Sequence, residues 1–159
     1  MRNSPGRKKV SVYAAGPLFS QAERTWNSAL AEYIDGRENS PFRILLPQET
    51  SPVEKGPEAI YRHCRRSVEK ADIILANLDG PDVDSGTAWE VGYALGLGKP
   101  VVAYRTDFRV CEVHHANIML WFGYEERIVC VEPTDKPEDT FERIYAALVK
   151  VAKRITRCS

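Results

Sequence analysis

The sequence predicts a doubly wound α/β fold, a five-stranded parallel sheet with helices on both faces. Three observations carry that expectation. Strand-like and helix-like segments alternate along the chain; residues 73–78 and 101–104 are continuous apolar runs; and 159 residues with 43% hydrophobic and 28% charged content suit a soluble globular protein. Alternating strands and helices build parallel sheets, and an unbroken apolar run suits a strand covered on both faces. A chain of this length has room for one ordinary core. Residues 10–159 are therefore expected to form a single domain behind a basic tail, residues 1–9, carrying Arg2, Arg7, Lys8 and Lys9.

The elements follow in order. Residues 10–14 are a short β-branched and aromatic run stopped by the turn signal Ala15-Gly16-Pro17. From Gln21 to about Ile34, Ala22, Trp26, Ala29, Leu30 and Tyr33 recur at helical spacing until Gly36 breaks the pattern. Residues 43–46 form a second short strand between Pro41 and Pro47, and the prolines and charges of residues 48–56 predict an irregular loop. Pro57 suits the first turn of a helix running to about Lys70. The apolar run 73–78 ends at Asp79-Gly80-Pro81, and residues 85–97 read as a helix capped by Asp84 or Ser85. Residues 101–104 follow Gly98-Lys99-Pro100 as the fourth strand, and residues 128–131 are the fifth. A final amphipathic helix starts near Pro137, with Phe141, Ile144, Leu148, Val151 and Ile155 on one face. Five strands in this order suggest the flavodoxin-like arrangement 2-1-3-4-5.

Composition narrows the function. Twenty-two basic residues balance twenty-two acidic ones, so the net charge of zero gives no pull toward a nucleic-acid polymer. No stretch approaches the roughly 20 apolar residues that cross a bilayer, and the polar start lacks a signal-peptide core; no membrane association and a cytoplasmic location are expected. Cys64, Cys111, Cys130 and Cys158 are scattered and are expected to be free thiols. Cys111, Glu112, His114 and His115 match no zinc spacing, so no metal is expected. The adjacent pair His63-Cys64 points in different directions on a helix, against a cysteine nucleophile. No G-x-G-x-x-G or Walker motif is present. A phosphoacceptor receiver needs acids after the first strand and a lysine after the fifth, where this chain has Ala14-Ala15-Gly16 and Glu132-Pro133.

In such a sheet, ligands bind beyond the C-terminal strand ends where strand order reverses, between the first and third strands. Residues 13–19 and 79–90 fall there. The second segment carries four carboxylates, Asp79, Asp82, Asp84 and Glu90, and Glu90 has small residues, Gly86 and Ala94, one turn to either side. Paired carboxylates suit glycosidic chemistry, one attacking or stabilising an oxocarbenium-like carbon and the other handling the leaving group's proton. The plain alternative is a helix cap and an exposed glutamate, and the periodicity does not require Glu90 to be buried. Gly16-Pro17 can bring the backbone close to a ligand or make an ordinary turn. Gly92 and Gly96 suit helix packing, and Trp89 and Tyr93 suit a core or a subunit interface better than a base-stacking platform. Arg105 to Arg109 could bind a phosphate through its arginines but reads better as a surface loop with internal ion pairs, because Asp107 and Glu112 can neutralise them.

Three separated motifs resemble the nucleoside 2-deoxyribosyltransferase family: Val12-Tyr13-Ala14-Ala15-Gly16-Pro17-Leu18-Phe19, Asp84-Ser85-Gly86-Thr87-Ala88-Trp89-Glu90-Val91-Gly92-Tyr93-Ala94, and Asn117-Ile118-Met119. The resemblance implies exchange of 2-deoxyribose between nucleobases through a covalent deoxyribosyl-enzyme, with no cofactor and with deoxynucleosides and free nucleobases as substrates. It makes Glu90 the nucleophile, Asp84 the group that contacts the base and assists its protonation, and Tyr13 the residue that orients Glu90. Gly16, Pro17, Phe19, Asp79 and Gly86 are the expected substrate-binding positions. Asn117 and Met119 are expected to complete a neighbouring subunit's site, which implies a homo-oligomer. The alternative within the same superfamily is a 2'-deoxynucleoside 5'-monophosphate N-glycosidase, in which water replaces the acceptor base. The pattern departs at Cys64, where many members carry an aspartate; a thiol is a poor substitute for a carboxylate that binds a base.

Overall fold

The apolar segments 73–78 and 101–104 are indeed the middle of a sheet: every residue of β3 (Ile73–Asn77) and β4 (Val101–Arg105) is buried. The computed structural model describes residues 9–109, 117–124 and 126–158. With β1 (Val10–Ala15), β2 (Phe42–Leu45) and β5 (Val129–Cys130), the strands form one parallel sheet in the order β2-β1-β3-β4-β5. The chain leaves β1 toward β2 and then returns to place β3 on the other flank, so the order reverses between β1 and β3. The helices are α1 (Gln21–Asp35), α2 (Pro47–Thr50), α3 (Pro57–Lys70), α4 (Ser85–Gly96) and α5 (Pro137–Cys158).

Alternate strand residues face opposite sides of the sheet. Val12, Ile73, Leu75 and Val102 pack with Leu30 and Ile34 of α1 and with Ile144, Leu148 and Val151 of α5. Tyr13, Ile74, Ala76 and Ala103 pack with Val68 of α3 and with Val91 and Ala94 of α4. That alternation puts Tyr13 on the α4 side. Its hydroxyl can reach that helix, whereas Val12 belongs to the other core.

The caps explain where the two helices beside the reversal begin. Ser20 and Glu23 form a reciprocal capping box on α1, and the Asp84 carboxylate caps α4. Several sequence expectations need correction. Residues 48–56 are not irregular: α2 occupies Pro47–Thr50 and a 3₁₀ turn occupies Val53–Lys55. Pro47 sits in the first turn, where its missing N–H costs nothing, and the Thr50 hydroxyl donates to the Leu46 carbonyl. Ala22 and Ala29 of α1 are exposed, whereas Leu30 and Ile34 are buried and Trp26 and Tyr33 pack against the same core. The second strand starts one residue early, at Phe42, which pairs with Val10, and the fifth is two residues long. Arg105 is no surface-loop residue but the 1% exposed end of β4.

Cys64 and Cys130 are free thiols. Arg2, Arg7, Lys8, Cys111, Glu112, His114 and His115 lie outside the described residues, as does the Cys158 side chain. Among the described residues no cluster of potential metal ligands occurs, and no helix is long and apolar enough to cross a membrane.

Candidate active site

Glu90 lies in the second turn of α4, half-buried, and its Oε1 accepts a 2.6 Å hydrogen bond from the Tyr13 hydroxyl. Burial pushes the Glu90 carboxyl up to about 7; the Tyr13 donor pulls it down, and the Asp84 charge pushes it up. Tyr13 itself is 1% exposed. Burial first, then the Glu90 charge and hydrogen bond, and finally Cys64, push its phenol far above the ordinary range. Tyr13 is thus a fixed donor, aimed at a carboxylate that changes charge near neutrality.

Asp84 performs the structural duty the sequence allowed for it. Its Oδ2 accepts from the Thr87 amide at 2.9 Å and from the Thr87 hydroxyl at 3.1 Å. A Cβ at residue 86 would come within 3.1 Å of that oxygen, so Gly86 leaves the cap its room. The same carboxylate therefore caps the helix with one oxygen, while its other oxygen, Oδ1, accepts from no donor among the described residues.

Asp84 also lines a cavity of about 640 Å³ at the C-terminal strand ends, together with Pro17, Phe19, Trp26, Asp79 and Asp82. Glu90 and Tyr13 are not among its lining residues; Asp84 is the link between the carboxylate pair and this space. Phe19 is 80% exposed at the cavity edge. Its amide, like that of Ser20, donates to Glu23, and these backbone donors, Ser20 foremost, hold the Glu23 carboxyl below its usual range. Asn27 donates to the Pro17 carbonyl and to Gln48, so α1 and α2 together fix the turn after β1. The close approach at Gly16 is to protein: a Cβ there would lie 3.0 Å from the Asn77 Cβ.

Asp79 is committed to the neighbouring loop. Its carboxylate accepts from the Thr106 amide and hydroxyl and, at 2.9 Å, from the Asp107 amide. Asp107 accepts from the Nε and one terminal nitrogen of Arg109, along one edge of the guanidinium, which holds its carboxyl well below the usual range. Asn117 caps the 3₁₀ turn Ile118–Leu120 by accepting from the Met119 amide. Neither Asn117 nor Met119 lines the cavity, and Met119 is 81% exposed. Trp89 stacks on Tyr93 at 5.0 Å and touches Tyr61 at the surface, away from the cavity lining.

The sequence did not single out Asn27, Gln48 or Trp26 as neighbours of the site. Asn27 and Gln48 carry no motif; only Gln48, a polar residue directly after Pro47, offered a local cue. Cys64, singled out as a departure, lies against Tyr13 and 3.9 Å from the Ser51 hydroxyl.

Comparison with known proteins adds a family match and three likenesses. The family model described as Nucleoside 2-deoxyribosyltransferase matches residues 12–140. A Thermofilum pendens protein with the provisional name 2'-deoxynucleoside 5'-phosphate N-hydrolase 1 is 27% identical over 99 residues, which are 59% of this chain and 66% of that protein, just under two thirds of its length. A conserved protein from Enterococcus faecalis V583 superposes with a TM-score of 0.67 at 29% identity, covering 87% of this chain and 99% of the other. The 2-desoxiribosyltransferase from Leishmania mexicana superposes with a TM-score of 0.62 at 23% identity, covering 86% and 97%, a likeness of fold.

Proposed function

Because the chain belongs to the nucleoside 2-deoxyribosyltransferase family, we propose that it exchanges nucleobases on 2'-deoxyribonucleosides through a deoxyribosyl ester on Glu90. The observation that carries this reading is the 2.6 Å hydrogen bond from Tyr13 to a half-buried Glu90 beside the sheet's reversal point. A carboxylate that attacks carbon must be ionised, oriented and poorly hydrated; the Tyr13 donor orients Glu90 and favours its charge, and half-burial limits its hydration.

In the first half of the reaction an ionised Glu90 oxygen bonds to C1' as the bond from C1' to the base nitrogen breaks. The electron pair leaves with the base, and Asp84 assists the proton that keeps it from departing as a nitrogen anion. In the second half the nitrogen of another base attacks C1', Asp84 takes up the proton that nitrogen loses, and the ester bond to Glu90 breaks, returning the carboxylate. The absence of a 2'-hydroxyl removes an electron-withdrawing group beside the developing cation and leaves space for close packing. No electrons are gained or lost overall, so the exchange needs no redox cofactor. Pro17, Phe19 and Asp79 form the wall against the substrate, and Gly16 and Gly86 keep the backbone and cap close around it. Asn117 and Met119 complete the site of a neighbouring subunit, and the active form is a homo-oligomer.

The likeness to the Thermofilum pendens protein favours a second reading, hydrolysis of a 2'-deoxynucleoside 5'-monophosphate with water taking the acceptor's place. One experiment separates the two. A deoxynucleoside, or its 5'-phosphate, is incubated with and without a second free base and the products are resolved by chromatography. Exchanged nucleosides support transfer; free deoxyribose or its phosphate as the sole sugar product supports hydrolysis. The variant Glu90→Ala is expected to lose at least about a thousandfold in kcat on either substrate. Activity near the parent level in that variant removes Glu90 as the nucleophile.

A further inference from the structure

Arg105 ends β4 with its guanidinium almost fully buried, at 1% exposure. It donates to the Leu78 and Gly80 carbonyls on the loop after β3, and to the Arg109 carbonyl on the loop after β4. Asp107 lies 3.8 Å away as its counter-charge. The reverse ties run from Thr106 and Asp107 to the Asp79 carboxylate. Each strand end thus sends one charged side chain into the backbone of the other. Charge-assisted bonds of this kind are short and directional, and a planar fork fixes two carbonyls at once. The loop held on the β3 side, from Asp79 onward, leads within a few residues to Asp84 and the start of α4.

We propose that Arg105 is a positioning residue that, through its clasp with the Asp79 loop, holds the Asp84 carboxyl in register with Glu90. This rests on the reading of Asp84 as the group that assists the departing base. From the helix side Asp84 is held by its cap to Thr87 and by the Ala88 amide, which donates to its carbonyl, and Val83 before it is buried in the α4-side core. The rest of the loop, Gly80 to Asp82, borders the cavity, and the Arg105 fork ties it to β4. A shift of that loop would tilt the Asp84 carboxyl about its cap and move it relative to Glu90.

The test is a double-mutant cycle. Arg105→Met removes the fork, and Thr106→Val removes only a hydroxyl donor to Asp79, so it reads the same clasp even if the first variant does not fold. Each is made in the parent chain and in Asp84→Asn, and kcat and KM are measured on a deoxynucleoside. In the parent background the substitutions are expected to lower kcat by about tenfold or more with KM changed by less than about threefold. In Asp84→Asn the same substitutions are expected to change kcat by less than about threefold, because there is no proton assistance left to misplace. Equal losses in both backgrounds, a loss confined to KM, or no loss in the parent background overturns the proposal while leaving the reaction untouched. A parent chain that turns over no deoxynucleoside instead sinks the underlying reading, and the clasp's role with it.

Discussion

Glu90 stands in a conflict between folding and chemistry, and the conflict sets a sign. Its carboxyl ionises near 4.5 in the unfolded chain and near 7 in the fold, chiefly because burial disfavours the charge. Between those values the folded state holds more protons than the unfolded state, so this group's contribution to stability falls as pH rises from 4.5 through 7. At pH 8 the ionised side chain costs up to about 3 kcal/mol, and at pH 4 almost nothing. Glu90→Gln is therefore expected to raise stability at pH 8, and the gain, followed by denaturant unfolding, should shrink toward zero at pH 4; a gain independent of pH would contradict the assigned titration. On the proposed reading, in which Glu90 is the nucleophile, kcat/KM should climb through pH 7 as it ionises. Tyr13→Phe deletes the donor that favours the ionised form, so the midpoint of that climb should move up by about one pH unit while the plateau drops about ten- to a hundredfold. A pH–rate profile with an unmoved midpoint would deny Tyr13 its role. At this scale the family resemblance implied the contact of Tyr13 with Glu90, which the structure shows, whereas spacing alone did not give it. Glu90 sits between Gly86 and Ala94, neighbours that permit burial or exposure equally, and only the facing of Tyr13 across the sheet decides it.

At the scale of elements, the cap of α4 carries a structural role in Asp84 and, on the proposed reading, a chemical one, and the two can be separated. Asparagine caps a helix about as well as aspartate but carries no acid, whereas alanine does neither. Asp84→Asn is expected to keep stability within about 0.5 kcal/mol of the parent while lowering kcat, and Asp84→Ala to lose about 1 kcal/mol as well. Thermal unfolding together with steady-state kinetics reads both; equal stability losses in the two variants would deny the cap, and equal kcat with the parent would deny the acid. Most elements were legible because each has its own period and its own stop. Residues 57–70 carry Pro at the start, and residues 85–96 carry an acid cap, so both helices fall where expected. The short helix α2 was not, because four residues leave no room for a repeating apolar face and its stabilising bond, from Thr50 to Leu46, is local. Arg105 misled for a related reason. A charged residue at the end of an apolar run reads as the start of a loop unless the carbonyls that surround it are known.

The sheet order was legible for a reason that operates on the whole chain: alternation forces right-handed crossovers, and the long excursion through α1 to β2 leaves β3 to return on the other flank of β1. Met119 is 81% exposed, and Asn117 precedes it as the cap of the 3₁₀ turn, outside the cavity lining. If Asn117 and Met119 serve a neighbour's Glu90, each site takes its nucleophile from one subunit and its completing residues from another. Co-expression of Glu90→Ala with the double variant Asn117→Ala/Met119→Ala then tests the assembly directly. With random mixing in equal amounts, half of the sites hold Glu90 and half of those face an intact Asn117 and Met119. About a quarter of parental activity should therefore return, whatever the number of subunits, provided each site has one donor. Each variant alone should be nearly inactive. Sites completed within a single chain cannot be rebuilt by mixing, so activity no greater than the mean of the two separate variants, or full activity in a sedimenting monomer, would place Asn117 and Met119 outside the reaction.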